Sequence, residues 1–475
     1  MRASYTGAAR CLRLDNVTVV DITSGALAPG MTVSIEDAVI TDVAPTATIA
    51  DSTDARRVDL TGKYVVPGFN DMHVHSLQRP DASGAFALML ANGITGIRQM
   101  AGSPELLDQR RRGTLPIGPD APELLAMPGA ILTAFNAATP EAAAATVAGQ
   151  REAGTDFIKI VLVPPDGLFG ALEAATGAGM LAAGHLQNGL HPVAQSRAGL
   201  RCIEHLGTGD SVWIACSSQE ATLAEEIAQR PPARLPPGGN LDLRMAAKFL
   251  INPLARTTSA DAGILRRALD TFSREKGREL AGTLRADGTW QVPTLVRLRA
   301  MQQADLPGYA DDPNLGYMPA DTVAGWREVT AVFGQLPAET RATLRNQYDR
   351  ELELTKIYDE TGTLMMTGTD EGGGWIIPGF ALHQEFDELA SAGLSPLKVL
   401  QMTTSLPALF LGRQDTMGAV APGQGANLVL LGGDPTATVA NLHRVDAVVR
   451  AGRLYTRRDL DSLLARVEAG EGLPA

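Results

Sequence analysis

The sequence predicts an α/β protein: a (β/α)8 barrel flanked by a small antiparallel β unit that both ends of the chain build together. Three observations carry this. Short apolar runs alternate with Ala-rich helical stretches through the middle of the chain, a pattern that favours parallel strands. Eight such runs fit within roughly 350 residues, the span of a barrel with insertions. Before and after them the text turns to β-rich alternation broken by turn dipeptides.

In chain order, Asn16-Val-Thr-Val-Val-Asp and Thr32-Val-Ser-Ile-Glu-Asp-Ala-Val-Ile read as strands, with Pro29-Gly30 as the turn between them. They form the first half of the small unit, residues 1–62. The barrel follows over 63–412, with candidate strands 64–75, 94–100, 123–127, 157–163, 180–185, 202–205, 291–295 and 364–369. An insertion over about 207–288 holds a helical run near Glu220–Gln229, a Pro/Gly linker from Pro231 to Gly239, and more helix through 262–284. A second irregular stretch runs from Asp305 to Asp321. Such segments are expected over the C-terminal ends of the strands, where loops set specificity. Ser395-Pro396 reads as N-cap then first helical residue. Strand patterning returns over 413–475 in Asn427-Leu-Val-Leu-Leu and Val445-Asp-Ala-Val-Val. Thr456 and Asp459 form a capping-box pair ahead of Leu460, Leu463, Leu464 and Val467, so the chain ends in an amphipathic helix.

Composition narrows the function. The net charge of −12 argues against a nucleic-acid partner, whose phosphates need a basic face. No apolar run approaches the ~20 residues of a membrane span, and Met1–Arg10 has no signal-peptide core. Three scattered cysteines, Cys11, Cys202 and Cys216, suit neither a disulfide framework nor a thiolate zinc site, so a reducing cytoplasm is the expected home.

The chemistry starts with Val-Val-Pro-Gly-Phe-Asn-Asp-Met-His-Val-His, residues 65–75. His73 and His75 lie two apart, which in a strand means one face and two legs of a metal site. Lys159 sits in Asp-Phe-Ile-Lys-Ile-Val-Leu-Val. An ammonium between two isoleucines in a buried strand is costly and tends to lose its proton. A neutral amine can take up carbon dioxide as a carbamate, a carboxylate on a long arm. His185 and His205 each end an apolar run, as does Asp370 after Met-Met-Thr-Gly-Thr. His191, before Pro192 at a helix start, is the rival ligand to His185.

Two histidines on one strand, then Lys159, His185, His205 and Asp370 each at the end of a later strand, make six residues on one expected barrel face, and the text around them resembles the binuclear metal-dependent amidohydrolase superfamily. Val66-Pro-Gly-Phe-Asn-Asp-Met-His-Val-His resembles its first-strand motif, and Asp156-Phe-Ile-Lys-Ile its fourth. Gly184-His185, Ile203-Glu-His205 and Gly368-Thr-Asp370 resemble the fifth, sixth and eighth, and the tail from Gly418 resembles the return to its β-sandwich. The likeness is nearest to the branch of prolidase-like dipeptidases and aryl-amide or carbamate hydrolases.

By position, the resemblance implies that His73, His75 and Asp370 hold one divalent metal ion and His185 and His205 a second. Carboxylated Lys159 bridges the two ions together with a hydroxide that attacks the substrate. Zinc suits these donors. Asp370 is the expected catalytic proton carrier. The implied activity is cleavage of an amide, dipeptide, N-acyl amino acid or carbamate C–N bond in a small molecule. Lactonase, esterase or phosphotriesterase chemistry at the same metals is the nearest alternative, and a non-catalytic scaffold the alternative of another class. No His-Ala-Glu motif points to a deaminase. Many relatives oligomerise. Trp213 and Trp375 are candidates to wall an apolar pocket, and Arg98 and Arg297 to bind a substrate carboxylate. His383, on the helix after the last strand, is either a residue behind the ligands or a helix-face histidine near solvent.

Overall fold

The computed structural model describes residues 11–49, 55–207, 209–229 and 250–471. Both chain ends meet in one eight-stranded sheet. Its N-terminal strands are β1 (Cys11–Val20), β2 (Leu27–Glu36), β3 (Val39–Pro45), β4 (Ala55–Asp59) and β5 (Tyr64–Pro67). Two parallel sheets follow. One joins β6 (Phe69–Val74), β7 (Ile94–Gln99) and β8 (Glu123–Ala126). The other joins β9 (Leu132–Thr133), β10 (Phe157–Leu162), β11 (Leu181–Gly184), β12 (Leu200–Glu204) and β13 (Trp290–Val292). The chain then returns to the first sheet as β14 (Leu428–Leu431), β15 (Val445–Arg450) and β16 (Arg453–Thr456). That sheet runs β16-β15-β14-β5-β1-β2-β3, with β4 also on β1, and Leu14, Val33, Ile35, Val65, Leu428 and Val449 are among its core residues.

The parallel part is barrel-like, but its ladders make two sheets rather than one continuous ring. The expected third strand, 123–127, is β8, which pairs with β7; beyond Pro128-Gly129 a further short strand, β9, pairs with β10. The eighth expected strand, 364–369, forms no regular ladder. It still links both edges. Met366 N donates to Gln291 O (3.0 Å) on the β13 side, and Met72 N donates to Thr367 O (3.0 Å) on the β6 side.

The expected first strand, 64–75, is two strands. β5 lies between β1 and β14 in the outer sheet, and β6 pairs with β7. Gly68 is where the chain crosses. A Cβ there would collide with the Thr95 side chain, so only glycine permits the step.

Alternation builds the interior. In β10, Ile158 and Ile160 face the helix layer, while Phe157 and Lys159 share the other face. Phe157, Cys202, Trp290, Val292, Met72 and Ala183 form an apolar floor. Two residues further along their strands come Lys159, Glu204 and His185. The floor therefore excludes water beneath a layer of polar groups.

Other expectations from local chemistry are met. Ser395 caps its helix through Lys398 N, and Thr456 with Asp459 closes a capping box on the helix Arg457–Glu468. The run near 220–229 is the helix Glu220–Ala228, and 262–284 falls within Ser259–Asp270 and Arg274–Ala286. The Pro231–Gly239 linker lies outside the described residues. No helix among the described residues is long and apolar enough to cross a membrane.

One buried carboxyl makes the outer helices pH-sensitive. Gln302 and Gln347 both donate to Glu351 Oε1 (2.8 and 3.0 Å), while Oε2 has no partner among the described residues. Burial pushes this carboxyl up to about 8, and a proton supplies the donor that Oε2 lacks. Because the folded state keeps this proton after the unfolded chain has lost it, stability should fall as pH rises from about 4.5 to about 8. Glu351→Gln is expected to remove on the order of 3 kcal/mol of that fall. Denaturation midpoints of both proteins at pH 5 and pH 8.5 check this.

Candidate metal centre

Four imidazoles, one lysine and one aspartate meet at the C-terminal rim of the parallel strands. His73 is the buried penultimate residue of β6, and His75 follows just beyond the strand. Their Nε2 atoms each lie 3.2 Å from Asp370 Oδ1. One ligand atom from each of the three lies within 4.8 Å of the others. His205 Nε2 is 4.0 Å from Asp370 Oδ2. The His205 ring lies 4.6 Å from that of His73 and 4.9 Å from that of His185, centroid to centroid. Lys159 is 1% exposed, and its Nζ has no hydrogen-bond partner among the described residues.

The tautomers follow from the outer partners. His73 Nδ1 is 2.7 Å from Glu204 Oε2. A carboxylate only accepts, so Nδ1 carries the proton and Nε2 presents a lone pair. His75 Nδ1 faces Gln78 Oε1 (3.3 Å) and His205 Nδ1 faces Thr294 Oγ1 (2.6 Å), with the same effect for His75. Two imidazole lone pairs thus converge on one carboxylate oxygen. All three are electron donors, an arrangement that a cation between them relieves.

Charge is arranged to match. Burial draws the Lys159 amine below its usual range, against the pull of Glu204 and Asp370. His185 is pushed down to about 3 by burial and by Lys159, and burial likewise holds His205 well below an ordinary imidazole. Both are neutral donors near neutral pH. Burial works to raise Asp370, but the surrounding imidazoles of His205, His73 and His75 hold it well below the usual carboxylate range.

Backbone strain gathers at the same rim. His205 (φ 57°), Leu206 (53°), Thr294 (49°), Asp370 (54°) and Trp375 (64°) all take left-handed conformations that non-glycine residues avoid. Strain of this kind persists where function requires a particular side-chain direction.

Several residues absent from the motif reading support the six. Glu204 is the clearest: it is fully buried in β12, and its Oε1 accepts from Arg98 Nη2 (2.7 Å). A carboxylate two residues past Cys202 in an apolar strand is the signal that could have found it. Asp71 accepts from Thr369 Oγ1 (2.6 Å) and from His73 N (3.1 Å), tying β6 to the Asp370 segment. Glu371 takes Ser76 Oγ (2.8 Å) and Arg79 Nη1 (3.0 Å) just beyond His75.

The other expected residues lie elsewhere. Arg98 does not reach the rim: its guanidinium is fully buried, held by Glu204 and the Met72 carbonyl (2.6 Å) over the Phe157 and Phe410 rings. Arg297 reaches Asp370 itself, with Nε 3.1 Å from Oδ2. Trp213 is 2% exposed and packs toward Phe272, and Trp375 packs on Trp326 with its Nε1 donating to Thr330. Both indoles are buried in apolar clusters. His191 caps the helix Pro192–Ala198 and faces Glu220, apart from the other imidazoles. His383 is buried rather than near solvent, donating from Nε2 to Asn92 O (2.9 Å) against Phe69 and Phe386.

Imidazoles, a buried lysine and a carboxylate thus meet on a parallel α/β frame, and His73, His75 and Asp370 are spaced so that they could hold a metal ion. Residues 350–455 match the model of the amidohydrolase family. The search of curated proteins found no match. Among solved structures the chain resembles a putative prolidase from Bifidobacterium longum, at 21% identity over 97% of this chain and 99% of that one, TM-score 0.61. It also resembles a bottromycin amidohydrolase, at 20% over 98% and 91%, TM-score 0.68. A third is the ochratoxinase of A. niger, at 16% over 95% and 96%, TM-score 0.61. At these identities the structures establish a common fold. With the family match, they bear out the likeness to the amidohydrolase superfamily read from the motifs.

The Arg98–Glu204 pair yields a stability test. Glu204→Ala leaves a guanidinium buried without its carboxylate, which should cost about 3–5 kcal/mol. Replacing both residues by leucine should cost less than that single change. Chemical denaturation of the three variants checks the order.

Proposed function

We propose that this chain is a metal-dependent hydrolase of C–N bonds in small molecules: an amide, a dipeptide, an N-acyl amino acid or a carbamate. The observation that carries the reading is the meeting of His73, His75, His185, His205, Lys159 and Asp370 on one rim. The frame is read as a (β/α)8 barrel over 63–412, with the insertion at 207–288. A β-sandwich from 1–62 and 413–475, with the C-terminal helix, completes it. Fold relatives named as a prolidase and an amidohydrolase support C–N bonds as the target.

The residues fit a pair of divalent cations. Neutral imidazoles and a carboxylate suit zinc, and the unpartnered Lys159 amine faces the same groups. His73, His75 and Asp370 would hold one ion and His185 and His205 the other. Lys159, carboxylated by carbon dioxide with loss of a proton, would bridge them. Bound there, the ions would polarise the scissile carbonyl and bring the pKa of water toward neutrality.

The chain's own groups do the rest. Glu204 keeps the proton of His73 on Nδ1 and fixes the ring. Asp370, with Oδ1 turned to His73 and His75, would take a proton from the attacking water and return it to the leaving nitrogen. The floor beneath Lys159 keeps bulk water from entering through the barrel.

A screen of N-acyl amino acids, dipeptides, anilides, carbamates, lactones and phosphotriesters tests the reading. Turnover of a C–N substrate is expected, abolished by chelation and restored by zinc. Preference for lactones or phosphotriesters would assign the site to those bonds instead. Neither metal nor turnover would leave a scaffold. Asp370→Asn is expected to lower kcat by about 10²–10⁴-fold with the fold intact by circular dichroism.

A further inference from the structure

We infer that Arg297 is a positioning residue, which orients Asp370 and fastens the insertion to it at Leu250 and Ile251. The inference rests on the hydrolase reading for its kinetic consequence, and on geometry alone for its structural one. Arg297 lies on the helix Leu295–Gln302 that follows β13 and is 4% exposed. Each arm of its guanidinium has a different partner. Nε donates to Asp370 Oδ2 (3.1 Å), Nη1 to the Ile251 carbonyl (2.8 Å) and Nη2 to the Leu250 carbonyl (2.8 Å). A guanidinium spent in this way has little capacity left for a substrate carboxylate, the role expected from sequence.

The surroundings show that the joint is built. Ile251 O also accepts from Gly374 N (3.1 Å), so the segment after Asp370 is stitched to the same carbonyl. Asn252 Nδ2 donates to Met301 O (2.9 Å), on the helix that carries Arg297. A Cβ on Gly373 would collide with the guanidinium, so the lack of a side chain at 373 gives Arg297 its seat. The fork also settles which oxygen of Asp370 does what. With Oδ2 held by Nε, Oδ1 is turned to the two Nε2 lone pairs of His73 and His75. A lysine would supply the charge but not a planar fork reaching three acceptors in fixed directions.

The test uses the full-length protein and two routes to the same joint. Arg297→Met removes the fork, and Gly373→Ala displaces it while leaving the charge in the chain. Each is expected to lower kcat by about 10–100-fold with KM within about threefold, and to weaken zinc binding, read by chelator competition, by about 10–100-fold. Arg297→Lys should recover only part of both losses. In the Arg297→Met background, Gly373→Ala should cost little more, because the two act on one interaction. Losses that simply multiply, or full activity and zinc affinity in Arg297→Met, would overturn the inference. If the wild type turns over none of the substrates, the hydrolase reading fails, and the zinc competition still decides the role of Arg297.

Discussion

A buried hydrogen-bonded chain runs under the rim: Arg98 to Glu204 to His73. All three side chains are at most 1% exposed, and the links are 2.7 Å each. Burying ions is costly, and it is tolerated here because each charge has an opposite partner at hydrogen-bonding distance. Burial works to raise Glu204, but Arg98, His73 and Lys159 hold it well below the usual carboxylate range. The result is a carboxylate that stays charged and points one imidazole. Lys159 shares the field of the same carboxylate, so the pair that orients His73 also sets the environment of the lysine.

The rest of the rim repeats one device, a strand end followed by a residue forced into a left-handed turn. The turn at Thr294 serves twice. Its hydroxyl faces His205 Nδ1, and the helix it starts brings Arg297 to Asp370. The two halves of the centre, His205 and Asp370, are therefore set from one short segment after β13. Neither partner is a metal-donor residue type, which is why a search for histidines and carboxylates passes over both.

What was legible in the sequence was what period and burial determine. Apolar runs ending in His, Lys or Asp marked where side chains leave the strands, and the structure brings those six to one place. The eighth segment was found although it pairs irregularly, because its apolar text is that of an interior segment. What was illegible was direction. Nearness in sequence to a strand end does not fix where a side chain packs: Trp213 and Trp375 are buried in apolar clusters. Arg98 was misplaced for another reason: in β7 it faces the interior, and only the discovery of Glu204 opposite explains a guanidinium there. The division of residues 64–75 at Gly68 was likewise hidden, since Pro67-Gly68 reads equally as a bend within one strand.

That division binds early and late parts of the polypeptide. β5 is hydrogen-bonded to β14, which lies more than three hundred and fifty residues further on, and Gly68 N donates to the carbonyl of Asn427. The histidine-bearing strand is thus tethered at its base to a segment made far later in synthesis. Because β14 is made long after β6, the tether at the base of β6 can close only after that later segment has been made. The terminal sheet is for this reason a clasp on the centre and not a detachable appendage.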